Sequence, residues 1–189
     1  MGTTLDTFAP GLVIPAMVGP VAMTGVSPLS VMLAEIDRAV HADPQPRPER
    51  IARVLAAHLA EADLLKGVVC PCDPARYTRH LLGEGDGYCV LAIAWRPGQM
   101  SPVHAHKAWC AFGVHRGWLV ESFFGANPDG TARPTGCQPR GVGATSHAAA
   151  DESATHRLAN VGVADALSIH VYGAPFDRLG ADVNLVLAD

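Results

Sequence analysis

The sequence predicts a mainly β fold in one domain, with two α-helices at its N-terminal side. Three observations carry this. Between Ser27 and Gly67, apolar residues recur at helical spacing. Beyond Gly67 they fall in short β-rich runs divided by turn signals, and no helical stretch separates one run from the next. Strands spaced in this way read as an antiparallel sandwich or barrel.

Taken in order, the stretch from Thr3 to Val26 is apolar but lacks the Lys or Arg that opens a signal peptide. Pro10, Pro15 and Pro20 interrupt it, which makes it a poor membrane helix. Residues 1–26 are expected to form an irregular arm, and 27–189 a single domain. Ser27-Pro28 suits a helix start, with Ser as N-cap and Pro in the first turn. Leu29, Met32, Leu33, Ile36 and Val40 follow on one helical face. The run Asp43 to Pro48 breaks that helix. A second one carries Ile51, Val54, Leu55, Leu59, Ala62 and Leu65, with His58 as a partly buried helix histidine. These helices make up 27–66, and a β-barrel takes 67–189. Its expected strands are Tyr88–Trp95, Ala111–Phe124, His156–Val161, Ala166–Tyr172 and Val183–Leu187. Turns are expected at Gly83–Gly87, Arg96–Gly98, Asn127–Gly130 and Gly141–Gly143.

The 189 residues are 49% hydrophobic and 17% charged, with a formal net charge of -4 and no basic run. That balance argues against nucleic acid or an anionic membrane as partner. Cys70, Cys72, Cys89, Cys110 and Cys137 are odd in number and lack the paired spacing of a disulfide framework or zinc ribbon. A reducing cytoplasm is the expected setting.

The sharpest feature is the run from Gly98 to His106, which ends His104-Ala105-His106. Residues two apart on a strand share a side, so the two imidazoles would enter one cavity. Neutral imidazole suits Fe, Zn, Cu and Ni. Farther on, Ser168, His170 and Tyr172 stand at i, i+2 and i+4, which allows a hydrogen-bond relay along one strand face.

The run from Gly98 to Gly117 resembles the first motif of the cupin superfamily, except that Cys110 takes the place of the usual Glu. His156-Arg-Leu-Ala-Asn160 resembles the end of the second motif. The fold implied is a cupin, a double-stranded β-helix barrel. A site of His104, His106 and His156 without a carboxylate is similar to that of the cysteine dioxygenase family of thiol dioxygenases. Ser168, His170 and Tyr172 match that family's Ser-His-Tyr triad, and Tyr77-Thr78-Arg79 resembles its substrate-carboxylate segment. Cys110 stands where some members carry a cysteine crosslinked to the active-site tyrosine, here Tyr172; a plain buried thiol is the other reading. The similarity runs over about residues 75–177, ending at Tyr172-Gly-Ala-Pro175-Phe176-Asp177. It departs at Ala105, where the family usually has Asp, and in the aromatic stretch Trp109–Trp118.

The resemblance implies Fe(II) held by His104, His106 and His156, with Arg79 on the substrate carboxylate and Tyr172, oriented by His170 and Ser168, beside the metal. The implied reaction is oxidation of a small thiol by O2 to its sulfinic acid, with cysteine favoured. 3-Mercaptopropionate, mercaptosuccinate or another mercapto-acid is the alternative substrate. A non-catalytic ligand-binding cupin is the alternative of another class. A zinc hydrolase fits worst, because neither motif offers a general base. The implied protein is a monomer or small homo-oligomer with no membrane or nucleic-acid partner.

Overall fold

The computed structural model describes residues 26–42, 47–127, 131–179 and 183–186. The expectations for the N-terminal arm, the Asp43–Pro46 break, the turn at Pro128–Gly130 and Leu187 lie outside the described residues. Two helices come first, α1 at Pro28–His41 and α2 at Arg47–His58. Ten strands follow among the described residues: β1 Thr78–Gly85, β2 Tyr88–Trp95, β3 His104–His106, β4 Cys110–Arg116, β5 Leu119–Ala126, β6 Ala132–Arg140, β7 Thr145–Ala148, β8 Asp151–Ala159, β9 Ala166–Tyr172 and β10 Asn184–Val186. They form two five-stranded antiparallel sheets, ordered β1-β2-β9-β4-β7 and β10-β3-β8-β5-β6. This is the mainly β, cupin-type arrangement that the histidine motifs implied.

The helix start is as expected: Ser27 Oγ accepts from the Ser30 amide at 3.1 Å, with Pro28 in the first turn. Met32, Ile36, Ala39 and Val40 of α1 and Ile51, Ala52 and Leu55 of α2 are buried against Tyr88, Val90, Ala111, Ile169 and Val171. The helices therefore cover the outer face of the first sheet. On β2 and β9 the alternate residues turn inward: Leu91, Ile93 and Trp95 join Phe112, Val114, Leu158 and Tyr172 between the sheets. Both faces of β2 and β9 are thus covered, which is why β2 reads as an unbroken apolar run, whereas β9 turns Ser168 and His170 inward among its apolar residues.

Some boundaries differ from expectation. Arg47 and Pro48 belong to α2, since a proline in the first helical turn sacrifices no intrahelical bond. That helix stops at His58, and Leu59 and Leu64 reach the same core from the turns that follow. His58 is largely buried and pairs with Glu35 at 2.9 Å. The run Ala111–Phe124 is two strands, broken at Gly117 and Trp118. Gly117 has φ +72°, and a Cβ there would press on Ala166 at 3.0 Å. Strands β1, β6 and β7 were not expected. β1 runs through Gly83 and Gly85 with a bulge between Leu81 and Gly83, leaving only Asp86-Gly87 as the turn. β6 contains Pro134 and Pro139, is largely exposed and lies at a sheet edge, where proline is tolerated.

Candidate metal centre

β3 and β8 build the centre. His104 lies opposite His156 in their ladder, and His106 stands two residues on along β3. The three rings are buried with centroids 4.7 to 5.1 Å apart. One nitrogen from each ring lies within 4.8 Å of the other two, and among the described residues no other such group of metal-binding side chains occurs.

The remaining ring nitrogens fix two tautomers. His104 Nδ1 lies 3.0 Å from the Pro102 carbonyl, and His156 Nδ1 lies 2.8 Å from Glu121 Oε1. Both partners only accept, so each Nδ1 carries a hydrogen, which leaves Nε2 as the nitrogen that would meet a metal. Burial, then the neighbouring His156, pushes His104 down to about 3 and His106 down to about 4. His104 and His106 are therefore uncharged at neutral pH, as imidazole ligands must be. The three side chains fit a transition-metal ion.

Arg79, Tyr77, Trp95, Tyr172 and Asn184 line the same cavity as the three histidines. Tyr77 stacks on Trp95 at 4.6 Å, and the Arg79 guanidinium sits 5.5 Å from the Tyr77 ring centre. Arg79 Nη2 donates to Tyr77 Oη at 3.3 Å, while its Nε is buried without a hydrogen-bond partner. No acidic residue is among those lining this cavity. A fixed cation with an unused buried donor suits an anionic ligand.

The relay forms on the inner face of β9. Ser168 Oγ lies 2.8 Å from His170 Nε2, and His170 Nδ1 lies 3.2 Å from Tyr172 Oη. Trp95 adds a direction to it by donating its indole N–H to Ser168 Oγ at 2.9 Å. Burial, then the Arg79 charge, holds His170 well below the usual histidine value, so the ring is neutral. Ser168 accepts from Trp95 and donates to His170 Nε2. His170 Nδ1–H then donates to Tyr172, whose own hydroxyl hydrogen is left for the cavity. Burial raises the Tyr172 phenol far above its ordinary value, so it is a donor. Cys110 lies directly opposite Tyr172 in the β4–β9 ladder, and burial, then Glu121, pushes its thiol up to about 12.

Three residues here escaped the sequence reading: Glu121, Trp95 and Asn184. Glu121 did leave a trace, as the lone acidic residue between Asp86 and Asp129, inside an expected strand. Asn160, by contrast, takes no part in the cavity. It ties off a turn, donating to Trp95 O and Ala164 O at 2.9 Å each and accepting from the Gly162 amide.

Cysteine dioxygenase type 1 of Danio rerio is 32% identical over 111 residues, 55% of this chain and 54% of that protein. The match thus spans about half the length of that relative. The Homo sapiens protein of the same name is 28% identical over 158 residues, 79% of this chain and 78% of that protein. Among solved structures, the TT1209 protein from Thermus thermophilus is 21% identical, with a TM-score of 0.45, and the match covers 56% of this chain and 89% of that one. The family model for cysteine dioxygenase type I matches residues 21–182. That span takes in both helices, both histidine motifs and the relay strand, and the chain belongs to the cysteine dioxygenase type I family.

Proposed function

We propose that this chain is an iron-dependent thiol dioxygenase that converts a small carboxylate-bearing thiol and O2 to the sulfinic acid, with cysteine the favoured substrate. The observation that carries the reading is that three histidines and Arg79 line one cavity, the histidines suiting a metal and the guanidinium a carboxylate. When bound, Fe(II) supplies the redox chemistry that lets O2 react with a thiolate.

The protein's own groups then have distinct tasks. His104, His106 and His156 form a face of three imidazole nitrogens with no carboxylate among them. Arg79 holds the carboxylate through its fork of donors, and the Tyr77–Trp95 stack keeps the guanidinium in place. Tyr172 presents a hydrogen-bond donor to the cavity that the three histidines line. Ile93, Phe112 and Leu158 wall the cavity and keep bulk water out. Both oxygen atoms of O2 end on sulfur, so RSH and O2 balance RSO2H with no further reductant.

Arg79 selects the carboxylate but says nothing of an amine, and no acidic side chain lines the cavity to bind an ammonium. 3-Mercaptopropionate, mercaptosuccinate and related mercapto-acids are therefore the second reading. All five cysteines are unpaired, which supports a reducing compartment such as the cytoplasm. Among the described residues no helix is long and apolar enough to cross a membrane. Oxygen uptake by the Fe(II)-loaded protein across a panel of small thiols, with sulfinate detected by mass spectrometry, tests the function. Uptake should require a carboxylate-bearing thiol, and its absence with every such thiol would overturn the reading.

A further inference from the structure

The three candidate ligands have unequal surroundings. His104 Nδ1 meets a neutral backbone carbonyl, and His106 Nδ1 is buried without a partner. His156 Nδ1 meets the carboxylate of Glu121, whose side chain is 2% exposed. Glu121 Oε2 in turn accepts from Arg140 Nε at 2.9 Å and from its Nη2 at 2.6 Å. Ser146 Oγ donates to Oε1 at 3.2 Å, and Arg140 Nη1 is held by the Thr145 carbonyl at 3.1 Å. Glu121 stands on β5, with Ser122 opposite Arg157 and Phe123 opposite His156. The carboxylate thus reaches His156 from the adjacent strand, behind the ring and away from the cavity that Arg79 lines.

We propose that Glu121 is a positioning residue that restores to the metal centre, from one step further out, the negative charge that Cys110 in the usual Glu place removes. This inference rests on the metal-centre reading above. A carboxylate on the Nδ1–H of a ligating imidazole fixes the ring and makes its Nε2 a stronger donor. It adds anionic character without occupying a coordination position, so the positions needed by thiolate and O2 stay open. Arg140 draws charge from the far oxygen of the same carboxylate and sets how much of it reaches His156. The donor strength of the centre is therefore governed from opposite sides by Glu121 and Arg140, neither of which touches the metal.

Opposed effects separate this from mere structural support. Glu121→Gln keeps the shape and removes the charge. It should weaken Co(II) and Fe(II) affinity about 10–100-fold and move the Fe(III)/Fe(II) potential to more positive values. Arg140→Gln frees the carboxylate from its cation and should move the potential the other way. If Glu121→Gln fails to fold because Arg140 is left unpaired, Glu121→Gln with Arg140→Gln keeps a neutral pair of similar shape and should still lose metal affinity. Equal affinity and potential in wild type and the Glu121 variants would overturn the inference, as would shifts of the same sign from both single substitutions. A wild-type protein that binds neither Co(II) nor Fe(II) would overturn the metal-centre reading itself, which is a separate result.

Discussion

Trp95 and Ser168 are joined by a hydrogen bond of 2.9 Å between strands that lie side by side in the first sheet. Indole N–H can only donate, and among the described residues buried Ser168 has only His170 Nε2 to receive its own hydrogen, so together these contacts set the sense of the relay down to Tyr172. Trp95→Phe keeps the ring packing and removes the donor. Ser168 can then turn its hydroxyl, and His170 is free to exchange tautomers. Iron content should stay at the wild-type level while turnover falls several-fold. Nitrogen NMR of His170 should change from one tautomer to a mixture. An unchanged His170 spectrum would mean that the direction is set elsewhere.

Tyr172→Phe removes the last donor of the relay and leaves the three histidines untouched. Loss of one well-placed donor to a developing charge typically costs about 10²-fold in turnover. We expect a loss of that order with normal iron retention, measured as sulfinate formed per iron. Wild-type turnover in this variant would remove Tyr172 from the chemistry.

The opposed positions of Cys110 and Tyr172 allow a thioether between them. Forming it joins sulfur to a ring carbon, removes about two hydrogens, and needs O2 as oxidant. After turnover in air, peptide mapping should find the two residues in one crosslinked species, lighter by those hydrogens. Cys110→Ala should abolish the species. Two separate, unmodified peptides from the wild-type protein would show that Cys110 remains a buried thiol.

Arg79→Ala removes the proposed carboxylate anchor. Removing one partner of a buried, hydrogen-bonded charge pair costs about 2–5 kcal/mol, so KM for cysteine or another mercapto-acid should rise at least tens-fold. Cysteamine, which lacks the carboxylate, should be a poor substrate for wild type and should lose little more in the variant. Comparable losses on both thiols would point to a packing role for Arg79.

Acid should destabilise the metal-free protein. Burial lowers His80, against the pull of the Pro71 carbonyl, and burial followed by Arg79 lowers His170 further. Below about pH 6.5 the unfolded chain gains protons at these residues while the folded chain does not. Stability is therefore complete above that pH and falls as the pH drops, by up to about 1.4 kcal/mol per pH unit for each histidine. Urea midpoints measured from pH 7.5 down to 5.5 should show this decline, and His170→Gln should make it shallower, the remainder coming from His80, His104 and His106, which burial also lowers. An identical slope in the variant would place the proton uptake on other groups.

The β2 and β9 boundaries could be read from the sequence because these strands are buried on both faces and bounded by turns. β1 and β6 could not, because Gly83, Gly85, Pro134 and Pro139 lie inside them and mimic turn signals. In the site, spacing along one strand revealed His104 with His106 and Ser168 with His170 and Tyr172. Local period has no means of revealing partners brought together from distant parts of the chain. Glu121 is 35 residues from His156, and Trp95 is 73 from Ser168. The sequence motif lacked a carboxylate because Cys110 occupies its place, whereas the fold supplies one from the neighbouring strand.

The most direct test of the account is turnover of the Fe(II)-loaded protein with cysteine under isotopically labelled dioxygen, with the product analysed by mass spectrometry. The expected result is cysteine sulfinic acid carrying two labelled oxygens, one O2 consumed per thiol, and loss of both iron and product in His104→Ala, His106→Ala and His156→Ala. A product with one labelled oxygen or none, or full iron retention in any of the three variants, would contradict it.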